Sequence, residues 1–242
     1  MNRRALRRLK WEFAQQPQHM SQPKDEAVIL KPKGPHSATV IWLHGLGADG
    51  NDFVPVVDEL GLPANHGIKF IFPHAGVRPV TINNGYPMRA WYDILTLSRL
   101  DKNDEAGIRD SAARITALLD AEMAAGIPST RLLLAGFSQG CAMALFTGLR
   151  YAHPLAGLLA LSGYLPMHTT LPAEASDANR RTPILMMHGR QDPVVPHALG
   201  NASRELLQGL GYALDWREYN MQHQVCGEQI ADIAVWLKAR LA

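Results

Sequence analysis

The sequence predicts an α/β architecture, a mainly parallel sheet covered by helices on both faces, and three observations carry that prediction. Apolar runs at residues 38–44, 131–137, 155–163 and 183–189 are nearly continuous and lack the polar alternation of a half-exposed strand. Helical stretches lie between them in regular alternation. No internal repeat or linker interrupts the series, and 242 residues suit one large domain better than two small ones. Residues 27–242 are therefore expected to form a single domain.

The elements follow in order. AVIL (27–30) and ATVIWLH (38–44) read as strands separated by the turn-rich KPKGPHS. The glycine-rich GLGADGND leads into a helix over about 51–60, and IKFIFP (68–73) is the next strand. Residues 74–100 mix Gly, Pro and Asn with Trp91 and Tyr92 and read as a long irregular segment, a length that usually signals function or disorder. Over 104–126, Ile108, Ala112, Ile115, Leu118, Leu119 and Met123 recur on one helical face, and Gly126 with Pro128 ends the helix. RLLLAGF (131–137) is a buried strand, followed by the small-residue helix QGCAMALFTGLRY. Strands at 155–163, 183–189 and 213–219 and helices at 196–210 and 227–241 complete the chain.

Composition bounds the function. A content of 47% hydrophobic and 19% charged residues is that of a soluble globular protein. No apolar run approaches the roughly 20 residues of a membrane span, so no stable membrane insertion is expected. Cys141 and Cys226 cannot build a disulfide framework and fall in no C-x-x-C motif, which fits a reducing, cytoplasmic setting without structural zinc. The formal charge of +2 is unevenly spread: residues 1–19 hold five basic side chains (Arg3, Arg4, Arg7, Arg8, Lys10) and one acid, Glu12. Taking these from the 24 basic and 22 acidic residues leaves 19 and 21, a net of −2, so nothing in the main body points to nucleic acid. The basic head lacks the apolar core of a secretory signal. Leu6, Leu9, Trp11 and Phe13 do not align as a membrane-surface helix, so residues 1–26 are expected to be a basic, disordered extension, with Met20 as a second start.

The chemistry centres on AGFSQG (135–140). A G-x-S-x-G sequence alone is weak, but here it joins a buried strand to a helix, the setting of a nucleophile elbow. A serine hydroxyl needs a neighbouring base, and the base needs an orienting group. In strand–turn–helix nucleophile sites of this type, the chain order is serine, acid, histidine. Asp192 ends the strand PILMMHGRQD and is preferred to Asp177, in a weakly patterned loop, and to Asp215, inside a strand. Among ten histidines, His19 and His36 are peripheral, while His44, His66, His74 and His153 lie in the wrong order. His168 precedes Asp192, His188 shares the strand of the acid and reads as structural, and His197 starts a helix five residues on. His223, in the loop between the last strand and the last helix, is the candidate base. An oxyanion would be held by the backbone N–H groups of Gln139, the residue after the serine, and Leu46, in HGLGADG (44–50). A phosphate-cradling reading of that loop fails for want of a Walker lysine or a G-x-G-x-x-G spacing.

These segments together resemble the carboxylesterase and acyl-protein thioesterase (lysophospholipase-like) family of α/β-hydrolases. The resemblance runs from about Ala27 to the C-terminus through VIWLHGLGADGNDF (40–53), MRAWYDI (88–94), GFSQGCAMAL (136–145), LSGYLP (161–166), HGRQDPVVP (188–196) and YNMQHQVCGEQI (219–230). It implies triad roles for Ser138, Asp192 and His223, oxyanion roles for Leu46 and Gln139, and an acyl pocket lined by Trp91, Leu165 and Val194. Gln222, where relatives often carry glycine or proline, and the wording of HQVCGEQ depart from the pattern and bear on loop detail and substrate preference. The implied activity is two-step hydrolysis of carboxylic esters, thioesters or lysophospholipids through an acyl-enzyme on Ser138, with no metal or organic cofactor. A hydrolase-fold peptidase or a non-catalytic binding protein is the alternative. The resemblance admits a homodimer, which no residue pattern specifies. Cys141, three residues after the serine, reads as a buried packing residue.

Overall fold

The computed structural model describes residues 27–96 and 102–241, and the basic segment 1–26 lies outside them. In chain order the regular elements are β1 (Ala27–Leu30), β2 (Ala38–Leu43), α1 (Val54–Glu59), β3 (Ile68–Pro73), β4 (Val77–Val80) and β5 (Tyr86–Arg89). Next come α2 (Glu105–Ala124), β6 (Leu132–Phe137), α3 (Gln139–Arg150), β7 (Gly157–Leu161) and α4 (Leu171–Glu174). Then follow β8 (Ile184–Gly189), α5 (His197–Gly209), β9 (Leu214–Tyr219) and α6 (Gly227–Leu241).

Seven strands form one sheet in the order β1-β3-β2-β6-β7-β8-β9. Only β1 pairs antiparallel; every other neighbour is parallel. Every residue of the inner strands β2, β6, β7 and β8 is buried, which is why their sequences are continuous apolar runs rather than alternating ones. The edge strands β1 and β9 are only partly covered and carry the mixed patterns AVIL and LDWREY.

Alternate residues of each strand serve opposite layers, as the period of two demands. Ile41 and Leu43 join Ile108, Ile115 and Leu119 of α2 and the apolar face of α3 in one core. Val40 and Trp42 join Val56 and Val57 of α1 and Ile233, Trp236 and Leu237 of α6 in the other. Helix α2 begins where the Asp104 carboxylate accepts the Gly107 N–H at 3.0 Å and ends before Gly126, whose φ of +98° suits glycine.

The segment 74–100, read as irregular, contains the hairpin β4–β5 as a second, two-stranded sheet. Proline hides it from sequence: Pro79 and Pro87 face each other across the register, and a proline in a short run argues against a strand unless that strand lies at an edge. The strand read over 155–163 stops at Leu161, because Ser162 turns to φ +48°. No helix of the described residues is long and apolar enough to cross a membrane.

Candidate active site

The site lies at the C-terminal edge of the parallel strands, where β6 turns into α3. Ser138 adopts φ +56° and ψ −118°, a region that non-glycine residues populate sparsely. The turn leaves no room on either side. A Cβ on Gly136 would lie 2.1 Å from the Gly140 carbonyl oxygen, and one on Gly140 would lie 2.2 Å from the Leu43 carbonyl oxygen. Both glycines of G-F-S-Q-G are thus required by backbone approach. The turn is tied down by the Ser138 N–H, which donates to the Leu161 carbonyl at 2.9 Å. Ser138 is 8% exposed at the mouth of an otherwise covered region.

The loop after β8 presents Asp192, whose Oδ1 accepts the N–H groups of Val194 and Val195 at 2.9 Å each. Its Oδ2 accepts from His223 Nδ1 at 2.7 Å. A carboxylate only accepts, so Nδ1 carries the proton and Nε2 is left to receive one. Ser138 Oγ lies 2.9 Å from that Nε2. His223 stands in the loop between β9 and α6, its ring packed on Phe137 with centroids 4.7 Å apart. The two loops are stitched together, since the Gln191 N–H donates to the Met221 carbonyl at 3.1 Å.

Two further parts face the serine. Gln139 opens α3, and its N–H belongs to the first-turn donors that a helix leaves without an internal acceptor. The 44–50 loop abuts the elbow: a Cβ on Gly45 would come 3.4 Å from Ser138 Cβ. Within this loop the Gly47 N–H donates to the Arg89 carbonyl and the Ala48 N–H to the Gly45 carbonyl, while Leu46 N–H has no acceptor among the described residues.

A buried polar frame fixes this loop. His44 is 1% exposed; its Nδ1–H donates to the Gly45 carbonyl at 2.7 Å and its Nε2 accepts the Ala75 N–H at 3.0 Å. Burial pulls the imidazole down to about 4, so it sits uncharged. Trp91 Nε1 donates to the His44 carbonyl at 2.9 Å. The Gln139 side chain accepts the Trp91 N–H at 2.8 Å and donates to the Tyr92 carbonyl at 2.7 Å, and Ser111 Oγ holds the Trp91 carbonyl. The clamp by Gln139 and the tie by His44 escape sequence reading. A polar side chain opening an otherwise small and apolar helix (QGCAMALF) is the signal that points to the first.

The structure thus brings Ser138, His223 and Asp192 into one hydrogen-bonded line, with Gln139 beside them and the Leu46 loop against the serine. Trp91 and Leu165 are fully covered, the latter's N–H donating to Ser203 Oγ at 2.9 Å, and Val194 is exposed beside Asp192. Cys141 is buried, which pushes its thiol up and leaves it un-ionised. Chemically, the arrangement offers a hydroxyl whose proton has an acceptor, an imidazole whose charge would meet a buried carboxylate, and N–H groups near a developing oxyanion.

The chain is similar to known proteins over most of its length. The sequence model of a family described as Phospholipase/Carboxylesterase matches residues 24–241. Acyl-protein thioesterase 1 of Schizosaccharomyces pombe is 44% identical over 184 residues, covering 76% of this chain and 81% of that protein. Its namesake in Yarrowia lipolytica is 37% identical over 225 residues, covering 90% and 99%. The crystal structure of Zea mays acyl-protein thioesterase 2 superposes with a TM-score of 0.80 at 34% identity, covering 89% of this chain and 99% of that one.

Proposed function

The chain belongs to the phospholipase/carboxylesterase family of α/β-hydrolases, and from that premise we propose that Ser138 is its nucleophile, His223 its base and Asp192 its acid. His223 Nε2 takes the hydroxyl proton as Ser138 Oγ attacks an ester or thioester carbonyl. The Leu46 and Gln139 N–H groups hold the oxyanion, and Asp192 stabilises the imidazolium. The imidazolium returns its proton to the departing alcohol or thiol. Water, deprotonated by His223, then releases the carboxylic acid and regenerates the serine.

The observation that carries this reading is the continuous line Ser138 Oγ–His223 Nε2 at 2.9 Å and His223 Nδ1–Asp192 Oδ2 at 2.7 Å, drawn at a helix N-terminus. We assign acyl contact to Val194 at the mouth, with Trp91 and Leu165 as walls behind it. The names of the relatives favour acyl thioesters beside simple esters as substrates. Two free thiols suit a cytoplasmic setting. The proposed chemistry is complete within one chain, and the homodimer that the resemblance admits is tested by sedimentation.

A fluorophosphonate probe should label the native protein and fail to label Ser138→Ala, which should fold yet hydrolyse p-nitrophenyl butyrate at a negligible rate. Near-normal turnover in that variant would sink the assignment. Esters of graded acyl length, an acyl thioester and a lysophospholipid, compared by kcat/KM, then rank the substrate classes.

A further inference from the structure

His188 stands on β8 four residues before Asp192, 1% exposed, and the mechanism above gives it no part. Its Nε2 lies 2.9 Å from the Val195 carbonyl oxygen and 3.5 Å from Asp192 Oδ2. The carbonyl only accepts, so Nε2 carries the ring proton and donates it to Val195, with the carboxylate oxygen alongside. Val195 is also the residue whose N–H donates to Asp192 Oδ1 at 2.9 Å. A closed ring results: imidazole to the Val195 carbonyl, Val195 N–H to one carboxylate oxygen, and the imidazole edge against the other. Asp192 Oδ2 therefore lies between two histidine rings, only one of which faces the serine.

We propose that His188 is a positioning residue of the reaction, acting through Asp192: its Nε2–H holds the 192–195 turn so that Oδ2 stays aimed at His223. The inference rests on the triad reading given above.

The choice of histidine has a physical reason. Burial lowers the pKa of His188, so the ring is uncharged. A lysine or arginine at the same place would set a full positive charge beside Asp192 and compete with the His223 imidazolium for it. A neutral donor aligns the carboxylate and leaves its charge to the base. The surroundings fix the ring in this state. Trp216 of β9 stacks on it at 6.0 Å, and His197 of α5 meets it edge-on at 5.7 Å. Helix α5 presses close enough that a Cβ on Gly200 would lie 2.6 Å from His188 Nδ1. The titratable groups around it are Asp192 on its own loop, His197 on α5, His223 before α6, and Glu218, its register partner on β9, which accepts from His197 at 2.7 Å.

Three variants separate alignment from bulk. His188→Gln keeps an N–H near the reach of Nε2, His188→Leu fills the space without a donor, and His188→Asn keeps a donor too short for Val195. Turnover of p-nitrophenyl butyrate is followed against pH and normalised to sites titrated with the fluorophosphonate. The Leu and Asn variants should lose about 10- to 100-fold in kcat, the size expected of a misplaced catalytic group, with KM changed by less than about twofold. Their acid limb in kcat/KM should move down by roughly half a pH unit, because a misaligned carboxylate stabilises the imidazolium less. The Gln variant should restore the native limb and most of kcat. An acid limb that stays put in all three, with activity falling only as titratable sites fall, makes His188 a packing residue and overturns the proposal. Native-level kcat in the Asn variant overturns it equally, and that comparison stands even when the Leu variant does not fold. Absence of labelling in the native chain is a separate result, the failure of the triad reading itself.

Discussion

Among the described residues, two places bring a buried carboxylate, an imidazole and a hydroxyl within hydrogen-bonding reach, at opposite edges of the same sheet. At the C-terminal edge they are Asp192, His223 and Ser138. At the N-terminal edge they are Glu122, His36 and Thr39: Thr39 Oγ1 donates to Glu122 Oε2 at 2.6 Å, and His36 Nε2 lies 2.9 Å from Thr39 Oγ1. The difference is the direction of the protons. His223 stands between hydroxyl and carboxylate and can accept the hydroxyl proton. In the other cluster the hydroxyl proton already points at the carboxylate, and the imidazole donates to the oxygen from outside. Lys69 adds a charge, its Nζ 2.5 Å from Glu122 Oε1. Thr39 lies on extended β2 and is fully covered, whereas Ser138 is strained, slightly open and followed by a helix N-terminus. The same three group types are thus arranged for proton transfer in one place and as a fastening between α2, β2 and β3 in the other.

The largest expected effect breaks this comparison outright. Ser138→Ala should lower kcat/KM for p-nitrophenyl butyrate by about 10⁴-fold or more and leave the melting temperature nearly unchanged. Thr39→Val should leave kcat per folded molecule intact and cost about 1–2 kcal/mol, because Glu122 loses a donor while buried. A Thr39 variant that loses turnover without losing stability would erase the distinction.

The carboxylates come next. Asp192→Asn should cost on the order of 10³- to 10⁴-fold in kcat by favouring the wrong tautomer of His223. Glu122→Gln should leave turnover alone and strand the Lys69 charge. Breaking a buried pair costs about 3 kcal/mol at the low end of the range, and the low end applies because 23% of the Lys69 side chain keeps contact with water. Thermal unfolding should then fall by roughly 6–12 °C. A fall of under about 2 °C would mean that the pair contributes nothing net.

Charge state sharpens the contrast further. The site end relies on uncharged buried imidazoles, with His44 held down to about 4 mainly by desolvation. A histidine whose folded pKa lies below its unfolded value contributes stability that is present above the unfolded value, near 6.5, and is lost as pH falls through about 4. Native protein should therefore lose about 2 kcal/mol more than His44→Gln between pH 7 and pH 4.5, measured by urea unfolding. Asp52, pushed up to about 7 by burial and by Asp49, works in the opposite direction, since its contribution fades as pH rises towards 7. It is common to both proteins and cancels in the difference. Equal slopes for the two proteins would show that His44 titrates freely.

How much of this was legible in the sequence follows from the range of each interaction. The parallel sheet was legible because burial on both faces leaves a continuous apolar run such as RLLLAGF. The strand–turn–helix around Ser138 was legible because the close approach at Gly136 and Gly140 must be written as glycine. The hairpin was not, since Pro79 and Pro87 imitate a loop. Nor were the side-chain tasks of Gln139, His44 and His188. Each depends on one backbone group brought close by the fold: Trp91 lies 48 residues from Gln139, and Ala75 lies 31 from His44. Trp91 carries the same lesson, for its indole is held by the His44 carbonyl, a bond that no local pattern of MRAWYDI records. His36 and Thr39 show the converse. Their residue types are those of the Ser138 cluster, and proton direction, backbone shape, burial and the Lys69 charge set them apart.

The smallest effect tests backbone shape alone, using alanine as the reference so that lost side-chain bonds cancel. At position 138, glycine relieves a φ of +56° that alanine must also endure, a relief of about 1–3 kcal/mol against about 0.4–1 kcal/mol of added unfolded-state entropy. Ser138→Gly should therefore be more stable than Ser138→Ala by about 1 kcal/mol, or roughly 2–4 °C. At position 39, inside β2, there is no strain to relieve, and Thr39→Gly should be less stable than Thr39→Ala by about 0.5–1 kcal/mol. The signs are opposite because the two hydroxyls sit on different backbones. One is held out over the strand ends by a turn that costs free energy, and the other lies in a ladder that costs none. The same sign at both positions would mean that the elbow stores no strain, and that backbone shape does not separate the two clusters.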